Sequence, residues 1–103
     1  MIYRILSMKI DQIKLREIEI QGGKSYLDAV IRQNGDLVLE GCDNGDLVKD
    51  IWGDWDYEYW ITVKSDYKDT VLLHLIRERF DSETKFREWL KEKEIHCDFS
   101  SYA

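Results

Sequence analysis

Proline is missing from the 103 residues altogether, and histidine, cysteine and methionine occur only twice each. Without proline there is no polyproline segment and no rigid linker, so regular elements joined by glycine and Asn/Asp turns are expected. Cys42 and Cys97 lie far apart with no C-x-x-C spacing, which excludes a disulfide framework and fits a reduced pair. Together with His74 and His96 they lack the short paired spacings of a zinc site, so no metal is expected. No apolar run approaches the roughly 20 residues that span a bilayer. The opening MIYRILSMK lacks the continuous apolar stretch of a secretory signal. The expectation is a soluble, cytoplasmic protein without a membrane partner. No Gly-rich phosphate loop follows a strand. Gly22-Gly23-Lys24-Ser25 resembles the tail of one but lacks its first glycine, and reads as a turn. No cofactor is expected.

What is present fits one globular domain over residues 1 to 103. A chain of this length buries roughly 60 to 70% of the surface its unfolded form exposes, and 44% hydrophobic residues with 13% aromatics suffice for a modest core. The formal charge of −6 is unevenly placed. Residues 1–42 balance and residues 59–103 nearly so, whereas Asp43, Asp46, Asp50, Asp54, Asp56 and Glu58 stand against Lys49 alone between them. Such a patch attracts basic proteins and repels phosphate backbones, which argues against nucleic acid as a partner.

Within that segment WGDWDYEYW, residues 52–60, holds five aromatics among three carboxylates. From Asp56 the pattern alternates. Tyr57, Tyr59, Ile61 and Val63 form one face; Asp56, Glu58, Trp60, Thr62 and Lys64 form the other. The first is predicted to be core and the second an acidic surface with an indole in it.

Elsewhere the chain reads as short elements. Residues 2–10 mix periods and are taken as a strand. In residues 13–20, Ile13 and Leu15 fall out of phase with Ile18 and Ile20, which predicts a bulge near Arg16 and Glu17 or a strand buried on both sides. Asn34-Gly35 predicts a hairpin between residues 26–32 and 36–40. A two-residue turn would set Leu37 and Leu39 on the face of Asp28 and Arg32. A three-residue loop pairs Arg32 with Asp36 instead and gathers Leu27, Ala29, Ile31, Leu37 and Leu39 on one face, with Gly35 left-handed. Burial selects the second. A short helix carries Leu47, Val48, Ile51 and Trp52, with Asp43 or Asn44 as its N-cap and Gly53 as its stop. A strand over 57–64 follows.

A helix over 66–80 is capped by Ser65 or Asp66 and carries Val71, Leu72, Leu75, Ile76 and Phe80. Another opens after Asp81-Ser82 with Phe86, Trp89 and Leu90 on one side. A last strand is predicted from the alternation of Ile95, Cys97 and Phe99. The order β-β-β-α-β-α-α-β implies an α+β fold, a largely antiparallel sheet with two or three helices packed on one face and Tyr26, Val30 and Trp60 on the other.

No catalytic constellation emerges. Paired carboxylates beside tryptophans suit glycoside hydrolysis, but so short a domain offers little room for a cleft. Asp43, Asn44 and Asp46 lack the spacing and closing Glu of a calcium loop. The acids also read simply as solvated loop charges and the aromatics as core. The functional alternative is a binding surface, because rigid aromatics supply contact area and acids supply steering. Its candidate residues are Asp43, Asp46, Asp50, Asp54, Trp55, Asp56, Glu58 and Trp60, and the chain is expected not to be an enzyme.

The runs NGDLVLEGCDNGDLV, WGDWDYEYWITV, LIRERF, FREWL and FSSYA resemble a family of small, acidic, uncharacterised bacterial proteins. The resemblance spans roughly residues 30 to 103 and implies a bacterial origin, without a chemistry to carry over. By size and charge alone, the chain is also comparable to immunity proteins, which block a basic toxin by surface complementarity. The leading expectation is therefore a module that binds a basic protein, such as a toxin. The runner-up is a structural or regulatory subunit that homodimerises through its open sheet face.

Overall fold

The computed structural model describes residues 10–102. Three strands come first, β1 (Gln12–Ile20), β2 (Gly23–Ile31) and β3 (Leu37–Asn44). They are followed by α1 (Asp46–Trp52), β4 (Asp56–Val63), α2 (Ser65–Arg79) and α3 (Glu83–Glu92). The strands pair antiparallel in chain order, β1-β2-β3-β4, so the fold is α+β. Two compact units divide the described residues within α2, one Ile10–Asp69 and the other residues 70–102. The predicted strand over 2–10 lies outside the described residues. Among the described residues no helix is long and apolar enough to cross a membrane.

In the first unit the hairpin takes the three-residue loop. The Arg32 N–H donates to the Asp36 carbonyl at 2.8 Å, Ile31 lies opposite Leu37, and Gly35 has φ 92°. That dihedral disfavours a side chain. The register in β1 shifts between Lys14 and Arg16, within a residue of the predicted slip. Leu15 is the extra residue, and its insertion brings Ile13, Ile18 and Ile20 into phase despite their spacing.

Pairing across the sheet therefore gives one face Ile13, Arg16, Ile18, Ser25, Leu27, Ala29, Leu37, Leu39, Asp43, Tyr57, Tyr59 and Ile61. This is the helix face, because Val48 of α1 is buried against it and Trp52 stacks on Tyr57 with centroids 4.5 Å apart. The remaining alternates form the outer face.

Two rows tie the helix face together. Arg16, Leu27, Gly41 and Tyr59 stand side by side on the four strands. The Tyr59 ring lies where a side chain at position 41 would be, and its hydroxyl accepts from Arg16 Nη2 at 2.8 Å. Glycine is thus required at position 41 so that a ring from the last strand can reach a cation on the first. In the neighbouring row Arg16 Nε donates to Ser25 Oγ at 3.1 Å, and Ser25 donates to the Asp43 carboxylate.

The predicted caps fare differently. Gly53 closes α1 in the left-handed conformation, donating to the Lys49 carbonyl, as expected. At the other end the N-cap is Gly45 and no side chain caps it. Asp43 is held by Ser25, while the Asn44 side chain accepts from the Lys24 N–H at 2.9 Å. Both are drawn off by the sheet. For α2 the first N–H, that of Ser65, donates to the Asp36 carboxylate at 2.9 Å, so the cap comes from the hairpin and not from Ser65 or Asp66.

In the second unit, Ser82 caps α3 by accepting from the Lys85 N–H. Phe80, Phe86 and Trp89 form an aromatic cluster with centroids 5.2 to 6.3 Å apart. The predicted strand at Ile95, Cys97 and Phe99 does not form; residues 95–100 are irregular. Glu94 takes φ 60°, its N–H donates to Lys91 and that of Ile95 to Leu90. This pattern satisfies the last carbonyls of α3. The backbone that would begin the strand instead ends the helix, and Phe99 lies under the Arg87 guanidinium, 4.0 Å from its carbon.

Candidate functional site

Alternation along β4 sends Asp56, Glu58 and Trp60 to the outer face, whose neighbouring strands complete the surface. Glu58 lies opposite Cys42, itself opposite Tyr26; Trp60 lies opposite Glu40, itself opposite Asp28. These six residues line a shallow groove of about 230 Å³. Trp60 is 56% exposed beside it. Two of the acids are engaged: Asp28 accepts from Gln12 Nε2 at 3.0 Å, and Arg32 pairs with Glu40. From its place opposite Asp36, the Arg32 side chain reaches Glu40 past Val38, which is 1% exposed although it belongs to this outer face. Glu58 and Asp56 have no ion-pair partner among the described residues.

The Cys42 thiol records the charge of the groove. Its pKa is raised, first by burial and then by the carboxylates of Glu58, Asp56 and Asp43. A thiol surrounded by acids stays protonated and is a poor nucleophile.

The eight residues singled out in the sequence do not share one surface. Asp56, Glu58 and Trp60 stand together on the outer face. Asp43 points the other way, half-buried on the helix face as the acceptor of Ser25. Asp46 and Asp50 are exposed on α1, Asp46 lying against Gly22 of the β1–β2 turn. Asp54 and Trp55 occupy the connection between α1 and β4. The Asp54 carboxylate accepts from the Trp55 N–H at 2.7 Å. Trp55 is 54% exposed, and the Lys49 ammonium sits 5.8 Å from the centre of its ring. An acidic segment continuous in sequence is thus folded around one end of the sheet.

Asp28, Glu40 and Tyr26 join the groove from β2 and β3, outside the acidic segment. Their signal lies in the hairpin register: gathering Leu27, Ala29, Ile31, Leu37 and Leu39 on one face sends Tyr26, Asp28 and Glu40 to the opposite one.

Comparison with family models, with curated proteins and with solved structures finds no match to this chain.

Proposed function

We propose that this chain is a protein-binding module that captures a basic partner on the outer face of its sheet, around Glu58 and Trp60. The observation that carries the reading is the company Trp60 keeps. An indole more than half exposed stands beside a groove whose polar rim is carboxylate, and Glu58 and Asp56 are unpaired among the described residues. A rigid aromatic offers contact area at small entropic cost. Free acids around it steer a cationic surface and fix its orientation. The arrangement suits an inhibitor or immunity protein facing a basic toxin, in the bacterial setting that the sequence resemblance implies.

The test is capture from a bacterial lysate by the full chain and by a variant carrying Asp56→Asn, Glu58→Gln and Trp60→Ala. The reading requires a basic protein retained by the parent, released by salt, and lost from the variant. Equal retention by both chains, or none by the parent, rejects it.

A further inference from the structure

The sheet has two edges, and they are built differently. β1 is interrupted by the bulge at Leu15 and flanked there by the Lys14–Glu17 ion pair, with the charged Arg16 turned inward. Bulges, edge charges and inward charges are the devices that stop one sheet from adding to another. β4 carries no bulge: its eight residues pair with β3 without a shift in register. Every second residue of an edge strand turns its N–H and C=O away from the sheet, and no described residue hydrogen-bonds these groups in β4. Trp60 and Ile61, neighbours on opposite faces at its middle, are 56% and 57% exposed.

The geometry points to a second copy of this chain as the occupant of that edge, β4 pairing antiparallel with β4 of its counterpart about a two-fold axis through Trp60. The sequence of the strand is complementary to its own reverse. With Trp60 opposite itself, Tyr59 meets Ile61 and Tyr57 meets Val63, each pair formed twice on the helix face. On the outer face Glu58 meets Thr62, and Asp56 meets Lys64. Aromatic with β-branched and acid with base are the stabilising cross-strand combinations. One other register uses as much of the strand, with Tyr59 opposite itself. It sets Glu58 against Trp60 and Val63 against Trp55, and leaves Asp56 facing Thr62, whereas the first gives Asp56 a cation, Lys64, the residue directly after the strand. Charge and side-chain fit both favour the first. Lys64 is 74% exposed and pairs with Asp36 at 3.6 Å, so in the dimer its ammonium would be shared between Asp36 of its own chain and Asp56 of the counterpart. The result is one continuous eight-stranded sheet with the two acidic grooves on the same side, and it does not depend on the identity of any basic partner.

The test combines sedimentation of the full chain over a range of concentrations with cysteine cross-linking in a background carrying Cys42→Ser and Cys97→Ser, since Cys42 lies opposite Glu58 in the same chain and would capture a cysteine placed there. The parent should sediment at twice its chain mass. Ile61→Lys, a change at an exposed position, should remain folded by circular dichroism and lose the dimer. Directly opposed residues in an antiparallel pair lie about 4.5 to 5.5 Å apart between Cα atoms, within disulfide reach. Trp60→Cys should therefore link to itself on oxidation. Thr62→Cys should not, yet should link to Glu58→Cys when the two variants are mixed. A monomer at every concentration overturns the proposal. So does a dimer in which Thr62→Cys links to itself as readily as Trp60→Cys, or in which neither does.

Discussion

At Gly41 a single missing side chain decides how the sheet is braced, since any Cβ there overlaps the Tyr59 ring. Gly41→Ala should therefore cost about 1 to 3 kcal/mol, the usual penalty of overpacking, measured by denaturant unfolding. Tyr59→Ala should lose about 2 to 3 kcal/mol, because it removes a half-buried ring together with the acceptor for Arg16. Trp60→Ala, one residue on and facing outward, should cost less than about 1 kcal/mol. If Trp60→Ala unfolds the protein as severely as Tyr59→Ala, the indole belongs to the core and the outer site fails. Cys42 offers a readout that needs no partner. Replacing Asp56 by Asn and Glu58 by Gln should speed its alkylation near pH 8, since two of the charges that hold its thiol protonated are gone. The exposed Cys97 serves as internal reference; an unchanged ratio of the two rates would show that the acids exert no field there.

Elements in the first unit are joined by groups distant in sequence, and Asp36 is the clearest case. Its carboxylate accepts from the Ser65 N–H at 2.9 Å and from Asn34 Nδ2 at 3.2 Å, with Lys64 3.6 Å away. The β2–β3 hairpin and the start of α2 are thereby fastened to one another. The Ser65 hydrogen bond is the main cause of a pKa below the ordinary aspartate value, with Asn34 and Lys64 adding to it against the effect of burial. A depressed carboxylate pKa means that the folded state binds its proton more weakly than the unfolded state. The stabilisation is therefore complete above the ordinary value of about 3.9 and is lost as pH falls through the lowered one. Asp36→Asn should be less stable than the parent at pH 7, and the two unfolding midpoints should draw together on acidification through that window. Curves that stay parallel would assign the acid sensitivity elsewhere. In the second unit, Ser82→Ala should cost about 1 kcal/mol through loss of the α3 cap.

At the scale of the whole molecule, the proposed binding role separates charges that would steer a partner from charges that hold the fold. Asp56 and Glu58 are exposed and unpaired among the described residues, so Asp56→Asn with Glu58→Gln should leave the denaturation midpoint within about 0.5 kcal/mol of the parent. It should also slow association with a basic partner and flatten the dependence of that rate on salt, which stopped-flow mixing at several ionic strengths would measure. A loss of several kcal/mol in the double variant would mean that the acids hold the sheet together.

Much of the fold was legible from the sequence because its determinants are local. The hairpin register follows from Asn34-Gly35 and the need to keep Leu37 and Leu39 on the face of Leu27, Ala29 and Ile31. The phase slip in β1 calls for a bulge or for burial on both faces, and pairing with β2 selects the bulge; the end of α1 follows from Gly53. The alternation of β4 likewise separates Tyr59 from Trp60 without reference to any other strand. Tertiary structure decided whatever depends on which backbone lies beside which. Asp43 could serve as a helix cap or as a partner for Ser25, and strand pairing resolved the choice by setting the two opposite one another. The α2 cap was unreadable because its donor and acceptor are 29 residues apart. Asp28 and Glu40 entered the acidic groove, and Asp43 left it, for one reason: a strand fixes only its own two faces, whereas pairing chooses the neighbours that complete each face.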